Sequence, residues 1–120
     1  MSNKPQIRCK RVYEAPDAED GYRVLVDKLW PRGVKKSALP FDEWCKALAP
    51  SSGLREDYHH QVIDFVHFRE CYRKELAGNV ADLARLASIS RQQPLTLLYG
   101  AKDTRQNHAR VLAEMISEQG

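Results

Sequence analysis

Long apolar segments are absent from this sequence. Its apolar runs extend over only a few residues, whereas a membrane-spanning helix needs about 20. Residues 1–6 also lack the apolar core of a signal peptide. We therefore expect a cytoplasmic protein that has no membrane partner.

Cysteine and glycine are scarce, and their spacing excludes several kinds of site. The three cysteines, Cys9, Cys45 and Cys71, show no CxxC or CxxH spacing, so neither a zinc ribbon nor a redox pair is expected. The four histidines form no HxH or HExxH motif, and metal binding is therefore not predicted. The six glycines form no glycine-rich loop of the kind that usually binds a methyl-donor cofactor. The sequence therefore leaves the cofactor unknown.

A strong excess of one charge sign is also missing. Lys and Arg number 19 against 16 Asp and Glu, which gives a formal net charge of +3. The excess lies mainly in residues 1–40, which hold nine basic and five acidic residues. This segment can attract anions, but dedicated DNA-binding domains carry denser basic stripes. A small anionic ligand is therefore the favoured partner, and nucleic acid is a less favoured one.

What is present predicts one small α/β domain. The chain of 120 residues leaves room for a single domain, which we place at residues 7–118 behind a flexible N-terminus at residues 1–6. The sequence predicts strands at residues 6–13, 22–29 and 95–99. It predicts helices at 54–60, at 63–77, from residue 79 onward, and at 104–118. Residues 41–48 fit either a strand or a short helix. Apolar stretches such as 24–26 and 95–99 are typical of central parallel strands. The pattern predicts a sandwich with a mostly parallel central sheet, in which strands 22–29 and 95–99 are adjacent and helices cover both faces.

Five motifs occur in order along the chain. They are YRVLVDKLWPRG at 22–33, WCKALAPS at 44–51, LREDYHH at 54–60, FRECYRKEL at 68–76 and TLLYGAKD at 96–103, the last followed by NHA at 107–109. Over residues 7–116 the chain resembles the YeaO-like branch of the domain of unknown function 488 family. This resemblance implies a small cytoplasmic α/β domain without an established activity. The chain departs from the family pattern at Lys28, Cys45 and Gly100, and the departure at Cys45 argues against a cysteine nucleophile there.

Polar residues follow two of the predicted strands. Asp27 and Arg32 lie at the end of the first, and Lys102 and Asp103 follow the second. Loops at the carboxyl ends of parallel strands line the ligand crevice of open α/β sheets, so we expect these residues to meet. Arg32 can fork onto a phosphate or carboxylate, and Lys102 adds a charge near a helix N-terminus. Two structural alternatives stay open: Arg32 pairs with Asp27 or a carbonyl, and Asp103 caps the last helix.

Two predicted helices supply further candidates. Arg55 and His60 lie in the helix that opens after Ser51, and Asn107 and His108 lie in the last helix. We predict that Arg55 helps Arg32 and Lys102 to hold the anion, and that His108 or Asp103 transfers a proton. The alternative for His108 is a hydrogen-bonded core histidine, because it lies on the apolar face of its helix. The predicted ligand-binding residues are Asp27, Arg32, Arg55, His60, Lys102 and Asn107, and the predicted catalytic residues are His108 and Asp103.

Three functions remain open on the sequence. The first is an enzyme that acts on a small phosphate- or carboxylate-bearing molecule. The second is a non-catalytic module that binds a nucleotide or nucleic acid, and the third is a structural or interaction protein. A catalyst requires the chemistry of His108 or Asp103, a binding module requires only the cations, and an interaction protein requires an exposed apolar patch.

Overall fold

A computed structural model describes residues 5–119. The flexible N-terminus predicted at residues 1–6 lies largely outside the described residues. Gln6 is described: its backbone N–H donates to the Ser90 carbonyl at 2.9 Å, and its carbonyl accepts the Leu95 N–H at 2.7 Å. Within residues 5–119, no helix is long and apolar enough to span a bilayer.

Four parallel strands form one sheet. They are β1 (Ile7–Arg11), β2 (Tyr22–Leu25), β3 (Glu43–Trp44) and β4 (Leu95–Tyr99), and their order across the sheet is β1-β4-β2-β3. The central strand β4 pairs in parallel with both β1 and β2, which confirms the predicted adjacency. Strand β2 is shorter than predicted, because beyond Val26 the side chain of Asp27, rather than a backbone carbonyl, accepts the Gly100 N–H.

Four α-helices accompany the sheet. They are α1 (Ser52–His59), α2 (Phe65–Leu76), α3 (Val80–Gln92) and α4 (His108–Ser117). The Ser51 hydroxyl accepts the Leu54 N–H and caps α1, as the sequence predicts. Residues 41–48, which fitted either structure, contain both: β3 is followed by a 3₁₀ turn at Lys46–Leu48.

The last helix begins later than the predicted Thr104. The Asn107 side chain accepts the Arg110 N–H, so Asn107 is the cap and α4 starts at His108. Asp103 does not cap this helix, because its carboxylate accepts the N–H groups of Arg105 and Gln106 in a turn before it. Residues 101–107 therefore form a loop.

The two faces of the sheet are covered differently, which corrects the expectation of helices on both. The main core lies between one face of the sheet and all four helices. It includes Val24 and Leu97 from the sheet and Tyr72 and Leu112 from the helices. On the other face, Leu25 and Leu98 pack with Trp30, Val34 and Leu39 from the connection between β2 and β3, with Trp44 of β3, and with Val12. That connection contains Pro31, Gly33 and Pro40 and forms no α-helix, so a loop replaces the second helical layer.

Candidate functional site

A cavity of about 760 Å³ lies at the carboxyl edge of the sheet. Each strand contributes wall residues from the segment that follows it: Tyr13 after β1, Asp27 after β2, Pro50 after β3 and Gly100 after β4. They meet because the strands are parallel and all end at the same edge. Helix α1 and the start of α4 complete the wall, and the volume falls in the usual range for small-molecule sites.

Asp27 and His108 form the polar centre of this wall. His108 Nε2 lies 2.8 Å from Asp27 Oδ1, with side chains only 14% and 19% exposed, respectively. Neither of these two atoms has an aligned hydrogen-bond partner among the described residues. The other Asp27 oxygen, Oδ2, accepts the Gly100 N–H at 2.8 Å, and the Trp44 indole N–H donates to the Asp27 carbonyl at 2.7 Å.

This arrangement fixes the position of the pair but leaves part of its bonding capacity free. A carboxylate near Nε2 favours the tautomer in which Nε2 carries the proton, and Nδ1 is then an acceptor. The ring is also held by an edge contact with Tyr72, whose centroid lies 6.3 Å away. The pair can accept a donor group of a ligand, or His108 can take a proton from one.

Three cations surround the same cavity. Lys28, Arg32 and Arg55 line it, and all three are exposed. None of their side chains has a hydrogen bond or ion pair with residues 5–119, whereas Arg69 and Arg85 are both paired with carboxylates. The alternative in which Arg32 pairs with Asp27 therefore does not occur. Since Asp27 is the only acidic residue in the lining described, the fixed charges favour an anion.

The structure brings five of the eight predicted residues together and leaves three apart. Those in the cavity wall are Asp27, Arg32, Arg55, Asn107 and His108. His60, Lys102 and Asp103 are exposed and do not line the cavity.

Each of the three residues is placed elsewhere for a local reason. Helix α1 ends at His59, and the turn after it directs His60 away from the wall that His59 and Gln61 line. Lys102 and Asp103 lie in the loop that precedes the late start of α4. Hydrogen bonds from the N–H groups of Gln106 and Arg105 lower the pKa of Asp103, which makes it a poor proton donor in its exposed position.

Sequence reasoning missed several residues of the wall, and three of them lie on or just after α1: Tyr58, His59 and Gln61. Tyr58 stacks on Phe68 with ring centroids 4.8 Å apart, and both rings line the cavity. Burial raises the pKa of Tyr58, with a smaller contribution from Asp103. The spacing of Arg55 and Tyr58, three residues apart on one helix, was a signal that could have linked them. Asn107 was predicted as a ligand-binding residue, but its buried side chain is used to cap α4.

The described part of the chain offers no obvious metal centre. Within residues 5–119, no three His, Cys, Asp or Glu side chains are grouped so that they could hold an ion. Asp27 and His108 can act as hydrogen-bonding and proton-transfer groups.

The fold and the cavity define a small parallel α/β protein with a candidate ligand site at the carboxyl edge of its sheet. Comparison of its sequence with known families gives a more specific assignment. Residues 6–120 match the family described as the inactive DUF488-N3 subclade, and the chain belongs to this family.

Two relatives show how closely the chain follows the YeaO-like pattern. It is 54% identical over 110 residues to the uncharacterized protein YeaO of Escherichia coli (strain K12), covering 92% of this chain and 96% of that protein. It is 39% identical over 117 residues to the uncharacterized protein Rv3073c of Mycobacterium tuberculosis, covering 98% of each. These similarities confirm the resemblance found in the motifs. No solved structure matches the chain.

Proposed function

We propose that this protein binds a small phosphate- or carboxylate-bearing molecule in the carboxyl-edge cavity and does not convert it. One observation carries the proposal: Arg32 and Arg55 line the cavity without a carboxylate partner among the described residues. Arginine presents a planar fork of donors that matches a phosphate or carboxylate. A ligand anion between these side chains would supply the missing partner.

Two observations support binding without turnover. The family to which the chain belongs is described as inactive. The cavity lining contains no Ser, Thr or Cys among the described residues, so the usual hydroxyl and thiol nucleophiles are not at hand.

An enzyme is the second candidate, and the contact between Asp27 and His108 favours it. A carboxylate that orients an imidazole is a common arrangement for a general base. In this alternative His108 would remove a proton from water or from a ligand hydroxyl, and the cations would hold the anion as before. The two candidates share the binding residues and differ only in whether His108 is needed for a reaction.

Calorimetric titration with ribose 5-phosphate at low salt tests the proposal. Arg32→Ala and Arg55→Ala should each weaken binding by about 1.5–3 kcal/mol, the range for hydrogen bonds to charged groups. Arg105→Ala is the matched control, because Arg105 is exposed and does not line this cavity. Equal effects of all three variants would contradict the proposal.

The same samples distinguish a binding protein from an enzyme. After prolonged incubation with wild type, phosphate release and ribose 5-phosphate consumption are measured. A binding protein leaves the compound unchanged. Turnover that is lost in His108→Gln, with binding retained, would favour the enzyme.

We propose a cytoplasmic location on the ground that Cys9, Cys45 and Cys71 are all free thiols. We propose no nucleic-acid partner, and submicromolar binding of an oligonucleotide at about 0.15 M salt would contradict this.

A further inference from the structure

Gln61 has an unusual backbone conformation at the wall of the cavity. Its φ of +60° makes it the one non-glycine residue within 5–119 that has a positive φ. Non-glycine residues are uncommon in this region, and Asn, Asp and His are enriched among those that occur. The conformation therefore costs free energy of folding, and its presence in the native protein needs an explanation.

The end of helix α1 imposes this conformation. The Gln61 N–H donates to the Tyr58 carbonyl at 3.1 Å, and the Val62 N–H donates to the Asp57 carbonyl at 2.8 Å. These two bonds form the Schellman motif, in which the left-handed residue is usually glycine. The hydrogen bonds need only the backbone, so glycine would serve them with less strain.

The side chain of Gln61 is the part that glycine would lack. It is exposed, lines the cavity, and its carboxamide makes no hydrogen bond with residues 5–119. A carboxamide offers one acceptor and two donors on a planar group. Such a group pairs with a planar edge that carries a donor beside an acceptor, as the edge of a nucleobase does.

Helix α1 brings three kinds of recognition group to one wall. Arg55 supplies a cation, Tyr58 supplies an aromatic ring stacked on Phe68, and Gln61 supplies the carboxamide at the helix end. The spacing of three residues places Arg55 and Tyr58 on one side of the helix. Aromatic walls suit flat rings, and the cation suits a phosphate.

We infer that Gln61 is a specificity-determining residue and that the ligand is a nucleotide-like molecule, whose phosphate contacts Arg55 and whose base edge contacts the Gln61 amide. This inference rests on the proposed function, since it names the ligand class of the same cavity. Asp27 and His108 would then face the remaining hydroxyl groups of the ligand.

Two probes and two substitutions test the inference. Uridine 5′-monophosphate carries both phosphate and base, whereas ribose 5-phosphate lacks the base. Wild type should bind the nucleotide about 10-fold more tightly, as expected for one bidentate amide pair. Gln61→Gly and Gln61→Ala should both reduce this preference to less than about 3-fold, because the nucleotide loses the contact to its base whereas ribose 5-phosphate has no base to lose.

The melting temperature supplies a second readout. Gln61→Gly removes the strain and should raise the Tm by roughly 2–4 °C, after allowance for the greater freedom of glycine in the unfolded chain. Gln61→Ala keeps the strain and should not raise it. A variant that is more stable and yet less selective is the result expected of a residue retained for its ligand.

The outcomes separate this inference from the proposed function. Equal affinity of wild type for both probes, or a preference that survives in Gln61→Ala, would overturn the inference alone, provided that Arg55→Ala still weakens ribose 5-phosphate binding. A lower Tm in Gln61→Gly would assign the side chain a packing role and would also overturn it. If wild type binds neither probe, the proposed function fails and the inference fails with it.

Discussion

Asp20 and Asp27 lie at opposite ends of strand β2 and have different surroundings. Asp20, before the strand, is only 1% exposed. Its carboxylate accepts bonds from Lys10 at 3.1 Å, from the Asp17 N–H at 3.0 Å and from Arg23. Asp27, after the strand, has one oxygen bound to the Gly100 N–H and the other close to His108 without alignment.

The difference separates a carboxylate used by the fold from one that is available to a ligand. The Thr96 hydroxyl donates to the Asp20 carbonyl at 2.7 Å, which connects the segment before β2 to the central strand β4. Among the buried side-chain atoms of residues 5–119 at this end, Nη2 of Arg23 alone lacks a hydrogen-bond partner. Buried charges persist when they are paired, whereas spare bonding capacity beside a cavity is typical of a binding site.

The largest effect is expected from Asp20→Ala. The substitution leaves Lys10 and Arg23 without their shared carboxylate in a buried position, which costs about 3–5 kcal/mol of unfolding free energy. Urea denaturation measures it. Glu19→Ala is the control, because its ion pair with Arg8 at 3.6 Å is exposed, and such pairs contribute about 0–1 kcal/mol. Similar losses in both variants would remove the structural role from Asp20.

The second prediction concerns the glycine beside Asp20. Gly21 has a φ of +64°, and a Cβ there would lie 2.1 Å from the Pro94 carbonyl oxygen. That oxygen accepts the Tyr22 N–H at 2.8 Å, so it cannot move without loss of a sheet hydrogen bond. Gly21→Ala should therefore lower the unfolding free energy by about 2–4 kcal/mol.

Gly100, at the cavity end, provides the matched control. A Cβ there would lie 3.1 Å from Asp27 Oδ2, so a movement of only a few tenths of an ångström relieves the contact. Gly100→Ala should cost less than about 1 kcal/mol. If the two alanine variants are equally stable, the ends of β2 do not differ in rigidity.

The third prediction is a dependence on pH. Burial raises the pKa of Asp20, but hydrogen bonds from the Asp17 N–H, Lys10 and Arg23 outweigh burial and hold the pKa below the ordinary 3.8. Because the folded pKa is depressed, the contribution to stability is complete above the unfolded pKa and is lost as the pH falls through the folded one. The Tm of Asp20→Asn should therefore fall less than that of wild type when the pH is lowered from about 5 to about 3. An equal fall would assign the acid sensitivity to other carboxyls.

The smallest effect on stability is expected from His108→Gln. Since Nε2 makes no aligned hydrogen bond with Asp27, its removal should cost less than about 1 kcal/mol. Differential scanning calorimetry measures the change. A fall in Tm of several degrees would support the alternative of a structural core histidine.

The sheet could be predicted from the sequence, but its covering could not. The apolar stretches of β2 and β4 predicted central parallel strands, because strands buried on both faces lose the alternation of polar and apolar residues. The layer on the second face depends on how Trp30 packs against Trp44, at a centroid distance of 5.5 Å. This contact joins the loop after β2 to a residue of β3 that lies 14 positions further along the chain, and local periodicity does not encode it.

The candidate site was predictable where topology alone decides position. Asp27 and Arg32 could be placed because loops after parallel strands meet at one edge. The start of α4 could not be placed, because Asp103 and Asn107 are both good capping residues and tertiary contacts, which the local sequence does not show, decide between them. His60 was predicted to line the site, but its neighbour His59 does so, because one residue along a helix turns the side-chain direction by about 100°. Gln61 was missed because its positive φ has no signature in the sequence.

An NMR titration of ¹⁵N-labelled protein with ribose 5-phosphate tests the central contrast most directly. We predict that the backbone amide signals of Asp27, Gly100 and Ala101, at the cavity, shift in a saturable manner. Those of Asp20 and Gly21, at the opposite end of β2, should remain in place. Saturable shifts at the Asp20 end, or none at the cavity at millimolar ligand, would contradict the account.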